Sequence, residues 1–337
     1  MNQDNFENES TLNGTYHPEQ EDSGSDRDSS NSVYSMSSGE IEDHFIERHD
    51  RRFHSHGNGR PGQYPFPVDD LESQRLDHMH DLVKDLLDGH NYRGPVQQTL
   101  AVRADGHRVR ILDIGTGNGK WVEEMADEFP HTKVYGLDIV PLATRYPAEN
   151  VQFEVHDINS TTRWAQGRFD FVHMRQTCFS PVNVTSVIRE ISRILRPQGL
   201  FLACEWIPGI FRMDGSDVTP LTNHSTEILN RLHDFSTHQR LFCDPSSIPV
   251  MLIESAAFEN VVAERHFVYL DETALGRRAK QSLLDFARAS RYYLLDSGIA
   301  VSEIGQYLMD LRSGLDNGGE MCLIYLTVYA RRKVMLQ

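Results

Sequence analysis

From residue 109 onward the chain alternates short apolar runs with amphipathic stretches. Val109 to Ile114 is a short apolar run, the signature of a strand buried on both faces, and Lys133 to Leu137, Val151 to Val155, Phe169 to His173 and Leu200 to Glu205 read as the second to fifth strands. Between them, Asn118 to Phe129 and Asn183 to Leu195 carry apolar residues at helical spacing. Val187, Ile188, Ile191, Ile194 and Leu195 share one face, and Arg196-Pro197-Gln198-Gly199 ends the second helix. Strands and helices in this rhythm predict right-handed crossover units, hence an α/β fold with a mostly parallel sheet covered on both faces. After Trp206 the rhythm breaks. Residues 207–250 read as an insertion with a helix over Leu221 to Arg240. Ile248 to Ala257 reads as a helix, Val261 to Leu270 as a sixth strand, Arg277 to Leu295 and Val301 to Leu311 as helices, and Met321 to Ala330 as a final strand beyond an Asn317-Gly318-Gly319 turn.

Upstream of the first strand, Asp69 can cap a helix and Glu72 can complete a capping box. Leu76, Met79, Leu82, Val83, Leu86 and Leu87 then form its apolar face, and Gly89 is a plausible stop. Before that helix, residues 41–67 mix Arg48, Arg51, Arg52, His54 and His56 with Phe53, Tyr64 and Phe66, interrupted by glycines and prolines. This arm reads as neither helix nor strand, but as a segment that folds over the body. Composition isolates one more region. Residues 1–40 hold nine acidic side chains, one Arg and nine serines, so this tail carries −8 of the chain's −16. It is expected to be disordered, because it has too little apolar surface to offset its ordering entropy.

Other features exclude classes. No charged leader followed by an apolar run opens the sequence, and no stretch of about 18 apolar residues occurs. Cys178, Cys204, Cys243 and Cys322 are widely spaced, so neither a disulfide scaffold nor a metal site is expected. An intracellular protein, cytoplasmic or nuclear, fits. Net acidity argues against general binding of nucleic acid or of an anionic membrane.

The candidate chemistry sits in Asp113-Ile114-Gly115-Thr116-Gly117-Asn118-Gly119, where a buried strand enters a glycine loop and then a helix. Glycines admit a ligand close to the backbone, and a helix N-terminus offers free N–H groups. Asp138, 19 residues after Gly119, ends the second strand, where a carboxylate can accept from both hydroxyls of a ribose. A dinucleotide loop wants Gly-x-Gly-x-x-Gly. Here the glycines alternate, and Asp113 precedes them, which is awkward beside a pyrophosphate and suits a cationic ligand such as a sulfonium. Ligands of open parallel sheets lie beyond the carboxyl ends of the strands. His173 and Arg175 leave the fourth strand there, and Glu205 and Trp206 the fifth. His173 and Glu205 are therefore the catalytic candidates, and Tyr64 is placed to cover the site. Residues 207–250 and 277–311 are the natural acceptor walls.

The loop, Asp138, His156-Asp157-Ile158-Asn159 after the third strand, and Leu195-Arg196-Pro197-Gln198-Gly199-Leu200 together resemble the ordered motifs of class I S-adenosyl-L-methionine-dependent methyltransferases. Glu254 to Phe258 resembles that family's lead into its sixth strand. More narrowly, Arg52-Phe53-His54, Gly62 to Pro67, Asp69 to Asp77 and Phe169 to Arg175 resemble the fungal LaeA-like group. The resemblance implies a Rossmann-like, seven-stranded sheet with an antiparallel last strand over 108–337, preceded by the 41–107 arm and helix. It implies that Gly115, Gly117 and Gly119 line the methionine half of S-adenosyl-L-methionine with Asp113 nearby, and that Asp138 takes the ribose. It places Ile139 and Ile158 against the adenine, Asp157 on the adenine amino group, and Arg175 at the methionine end. Tyr64 and Asn118 complete the expected cofactor set, although Asn118 and Lys120-Trp121 depart from the group's commoner loop. The expected function is methyl transfer to a small organic acceptor, in fungal secondary metabolism. Two alternatives stand beside it: a LaeA-like nuclear regulator acting through protein partners by way of the acidic tail, and an NAD(P)-dependent oxidoreductase.

Overall fold

A computed structural model describes residues 35–55, 64–141, 144, 146–180, 183–214, 217–238, 243–317 and 320–334. The expected acidic tail as far as residue 34, arm residues 56–63, the end of the helix expected over 221–240 and the Gly318-Gly319 turn lie outside them. In chain order the elements are α1 (Ser38–Glu42), β1 (Phe45–Arg48), β2 (Arg51–His54), α2 (Asp70–Leu86), α3 (Val96–Thr99), β3 (Arg110–Ile114), α4 (Lys120–Glu128), β4 (Lys133–Asp138), β5 (Val151–Val155), β6 (Phe169–Arg175), α5 (Val184–Ile194), β7 (Leu195–Asp214), β8 (Asp217–Pro220), α6 (Glu227–His238), α7 (Ile248–Glu254), β9 (Phe258–Tyr269), α8 (Ala274–Asp296), α9 (Val301–Asn317) and β10 (Met321–Arg332).

The main sheet has the order β5-β4-β3-β6-β7-β10-β9, with β8 paired to β7. Pairs from β5 through β7 are parallel, and β10 runs antiparallel to both neighbours. Ile111, Leu112, Phe171, Val172, Phe201 and Leu202 are all fully buried, as strands sandwiched by crossover helices require. α5 and α7 pack on one face through Val187, Ile188, Ile191 and Leu252. α4 and the end of α2 pack on the other through Trp121, Val122, Met125, Val83 and Leu87. α6, α8 and α9 join α2 in a third apolar cluster with Ile210 and Leu323.

Four expectations are corrected. The arm is not free of strand: β1 and β2 form an antiparallel hairpin. Its two-residue turn, His49-Asp50, has φ values of 54° and 56°, the left-handed pair that matches strand twist, supplied here without glycine. The capping box of α2 is half made. Asp69 accepts from the Glu72 N–H at 3.2 Å, but the Glu72 carboxylate goes to Arg75, at 2.6 and 2.9 Å. Leu195 to Gly199 is not only a helix stop but an irregular start of β7, where Leu195 pairs with Phe169 and the next paired residues are Leu200 and Phe171. Finally, β7 does not end at Glu205. It continues to Asp214 because Pro208-Gly209 fall in a bulge: Ile207 pairs with Ile324 and Phe211 with Cys322, so four steps on β7 face two on β10.

Candidate active site at the carboxyl edge of the sheet

The carboxyl ends of β3, β4, β5 and β6 and the Glu205–Gly209 stretch of β7 open into one cavity of about 270 Å³. The turn after β3 forms its floor. Gly115, Gly117 and Gly119 all have positive φ, at 72°, 56° and 87°, where a side chain would be strained. A Cβ on Gly115 would lie 2.8 Å from Thr177 Cγ2. The loop is held open by Asp138, whose carboxylate accepts from Gly117 N at 2.8 Å and from Val140 N at 3.1 Å. Burial pushes the Asp138 carboxyl up to about 6, against the pull of those two bonds and a third from Ile139 N. Asn118 turns away from the loop, donating to Asp77 at 2.8 Å and to Ser73, and Lys120 reaches Asp81 at 2.6 Å. These two departures from the commoner loop therefore tie it to α2.

Of the expected residues, Tyr64, Gly115, Gly117, Asn118, Asp138, Ile139, Asp157, Ile158, Arg175 and Glu205 border this single cavity. Asp113, Gly119 and His173 do not. Asp113 is buried under the loop with its carboxylate 2.7 Å from His173 Nδ1. His173 is fully buried, and its ring stacks on Trp121 at 3.9 Å and 9°. It stands two residues inside the end of β6, so it braces the strand and has no path to a substrate. Burial lowers its pKa, partly offset by Asp113. The expectation of His173 as a base is thus corrected; Asp113 stays under the loop, from where its charge still acts on Asp138 at the cavity wall.

Glu205 is differently placed. It is buried but borders the cavity, and Oε1 accepts from Thr177 N at 2.7 Å and Thr177 Oγ1 at 3.1 Å. Burial pushes its carboxyl up to about 7, against the bonds from Thr177 and Cys178. A carboxyl balanced near neutrality inside a cleft can exchange a proton with what the cleft holds.

The roof comes from the arm, with His54, Tyr64, Phe66 and Val68 bordering the cavity. Tyr64 packs edge-on against Phe66, and Phe66 tilts against Phe286 of α8. The arm is pinned by Arg51, which grips both oxygens of Asp69, the residue that caps α2. Two lining features escape sequence reasoning. The Glu72–Arg75 pair is buried along the cavity, and His80 accepts at Nδ1 from Arg175 at 3.1 Å. Burial, then the Arg175 charge, take His80 down to about 4. Residues 72, 76, 79 and 80 share one face of α2, a signal visible in the sequence but indistinguishable there from ordinary core.

The residues present suit a polar, nucleoside-containing ligand. Thr116 and His156 border the cavity, and Thr116 Oγ1 and His156 Nε2 are buried without a partner among the described residues. A cation has less claim. His80, Asp81 and Glu124 bring ligand atoms within 4.8 Å of one another, but Lys120 holds Asp81 and Lys84 holds Glu124, each at 2.6 Å.

The topology separates two ligand classes. A doubly wound dinucleotide fold continues its second half with parallel strands, in the order 3-2-1-4-5-6. Here the antiparallel β10 is wedged between β7 and β9. A family model described as a methyltransferase domain matches residues 71–282. The chain belongs to the methyltransferase domain family. Its match spans the glycine loop, all five parallel strands and the cavity walls from α2 as far as Ser282 of α8.

Among curated relatives, the methyltransferase pytC of Aspergillus terreus is 32% identical over 171 residues, covering 50% of this chain and 49% of that protein. The secondary metabolism regulator laeA of Coprinopsis cinerea is 32% identical over 145 residues, covering 42% and 35%. The chain thus spans about half or less of the length of these relatives. Among solved structures, a Haemonchus contortus phosphoethanolamine N-methyltransferase 2 is 14% identical over 88% of this chain and 72% of its own, with a TM-score of 0.46. No helix among the described residues is long and apolar enough to cross a membrane.

Proposed function

We propose that the chain is an S-adenosyl-L-methionine-dependent methyltransferase that acts on a small organic acceptor, in fungal secondary metabolism. One observation supports this above the others: a bare-backbone loop, two acidic strand tips and a proton-exchanging carboxyl open into the same roofed cavity. The cofactor supplies a methyl group already activated on sulfur. What is left for the chain is positioning, which can contribute about 7–11 kcal/mol in favourable cases. Asp138 would accept from the ribose hydroxyls and Asp157 from the adenine amino group, with Ile139 and Ile158 against the ring. Arg175, steadied by His80, would meet the methionine end. Tyr64 and Phe66 close the roof and keep water out.

The remaining wall is apolar, with Leu229, Leu232, Leu283, Phe286 and Ile207, and it is the acceptor side of this reading. Glu205 takes the acceptor's proton where the nucleophile carries one. A second reading, a regulator that works through protein partners, draws on the Coprinopsis cinerea relative and on the acidic serine-rich tail. The test incubates the full chain with methyl-labelled S-adenosylmethionine and a fungal extract. The first reading expects label in the solvent-extractable metabolites. Label confined to the protein fraction would favour the second, and none in either would remove both as enzymes.

A further inference from the structure

The sequence spacing of the cysteines suggests no pairing, yet the fold brings two of them together. Cys178 lies in the loop that leaves β6, next to Thr177, and is buried. Cys243 follows 65 residues later in sequence, at the approach to α7, and is half-buried. The Cys243 N–H donates to the Cys178 carbonyl at 3.1 Å, and each thiol shifts the ionisation of the other. Both thiols are free.

The two sulfurs differ in character. Cys243 Sγ lies 3.8 Å from Ser247 Oγ and 3.7 Å from the Asp244 carbonyl. The Cys178 contact pulls the Cys243 thiol down to about 7, while that same contact and burial push the Cys178 thiol up. The half-buried sulfur is therefore the one with thiolate character, and the buried one is its neighbour in waiting.

We propose that Cys178 and Cys243 form a reversible disulfide when a hydroperoxide reaches the protein, tying the approach to α7 onto the loop that lines the cavity. The Cys243 thiolate attacks the peroxide, breaking the O–O bond, and becomes a sulfenic acid while one oxygen leaves as water. The Cys178 sulfur then displaces the sulfenic oxygen, which takes the Cys178 proton and leaves as a second water. Two thiols are oxidised and one hydrogen peroxide is reduced. Cys178 helps hold the Glu205 carboxyl down against the effect of burial, so the new link acts on that group. The proposal is independent of the methyl-transfer reading.

The test treats the folded full chain with hydrogen peroxide, blocks the remaining thiols with iodoacetamide and maps tryptic peptides by mass. The expected product is one cross-linked pair carrying residues 178 and 243, two hydrogens lighter than the free peptides and released by dithiothreitol. Oxidised wild type should melt at a higher temperature than reduced wild type, and Cys243→Ser should lose both the cross-link and the shift. Recovery of Cys243 as sulfinic acid with Cys178 alkylated and unlinked would overturn the proposal. So would a cross-link that survives Cys243→Ser.

Discussion

Replacing Glu205 with Gln separates a proton-transferring carboxyl from a structural one. The carboxyl is buried and moved from 4.5 to about 7, chiefly by desolvation. At about 1.4 kcal/mol per tenfold change in acidity, keeping it ionised costs on the order of 3 kcal/mol. The sign follows from linkage. The folded state holds a proton that the unfolded state releases, so this contribution is fully present below pH 4.5 and lost as pH rises through 7. Gln cannot ionise and can still accept from Thr177 through its amide oxygen. The variant should therefore lose less stability than wild type between about pH 4.5 and 7, the remaining fall coming from Asp138, as read by urea denaturation across pH. Activity should move the other way. Wild-type methyl transfer should climb through pH about 7 as the base ionises, and the Gln variant should lose that limb together with roughly 10²–10⁴-fold in kcat. A variant with the wild-type rate and pH profile would refute the assignment. Loss of rate with the pH limb intact would leave Glu205 a positioning group.

Asp138→Ala should weaken S-adenosylmethionine at least tenfold, about 1.4 kcal/mol, because it removes the proposed ribose contacts and the bonds that hold Gly117 and Val140; calorimetric titration checks it. Gly115→Ala should also impair binding, since φ is 72° and the new methyl would lie 2.8 Å from Thr177 Cγ2. Wild-type affinity in that variant would show that the loop does not approach the ligand. Trp121→Ala should cost about 3–5 kcal/mol in chemical denaturation, as the indole is buried, stacks on His173 and donates to the Asn91 carbonyl at 2.8 Å.

The parallel half of the sheet was legible because strands covered on both faces show up as short apolar runs. The glycine loop was legible because a buried strand, alternate glycines and a helix are contiguous in sequence. The hairpin of the arm was not, since its turn is made by His49 and Asp50 in a conformation usually left to glycine and asparagine. The long β7 was hidden by Pro208-Gly209, which punctuate a sequence whether they end a strand or bulge it. Sequence position could not place His173 either. Its neighbour two residues on, Arg175, reaches the cavity, and only the stacking of Trp121 and the bond to Asp113 show that the histidine faces inward. The lining face of α2, with Glu72, Arg75 and His80, depends on which side of the helix meets the cavity, and that is a tertiary fact.

The cavity at the carboxyl edge of the sheet is expected to take a sulfonium nucleoside. Isothermal titration of the full chain with S-adenosylmethionine and, separately, with NADH tests it most directly. One-to-one binding of the first is expected, lost on loading with S-adenosylhomocysteine, and no heat from the second. Saturable binding of NADH with none of S-adenosylmethionine would contradict it.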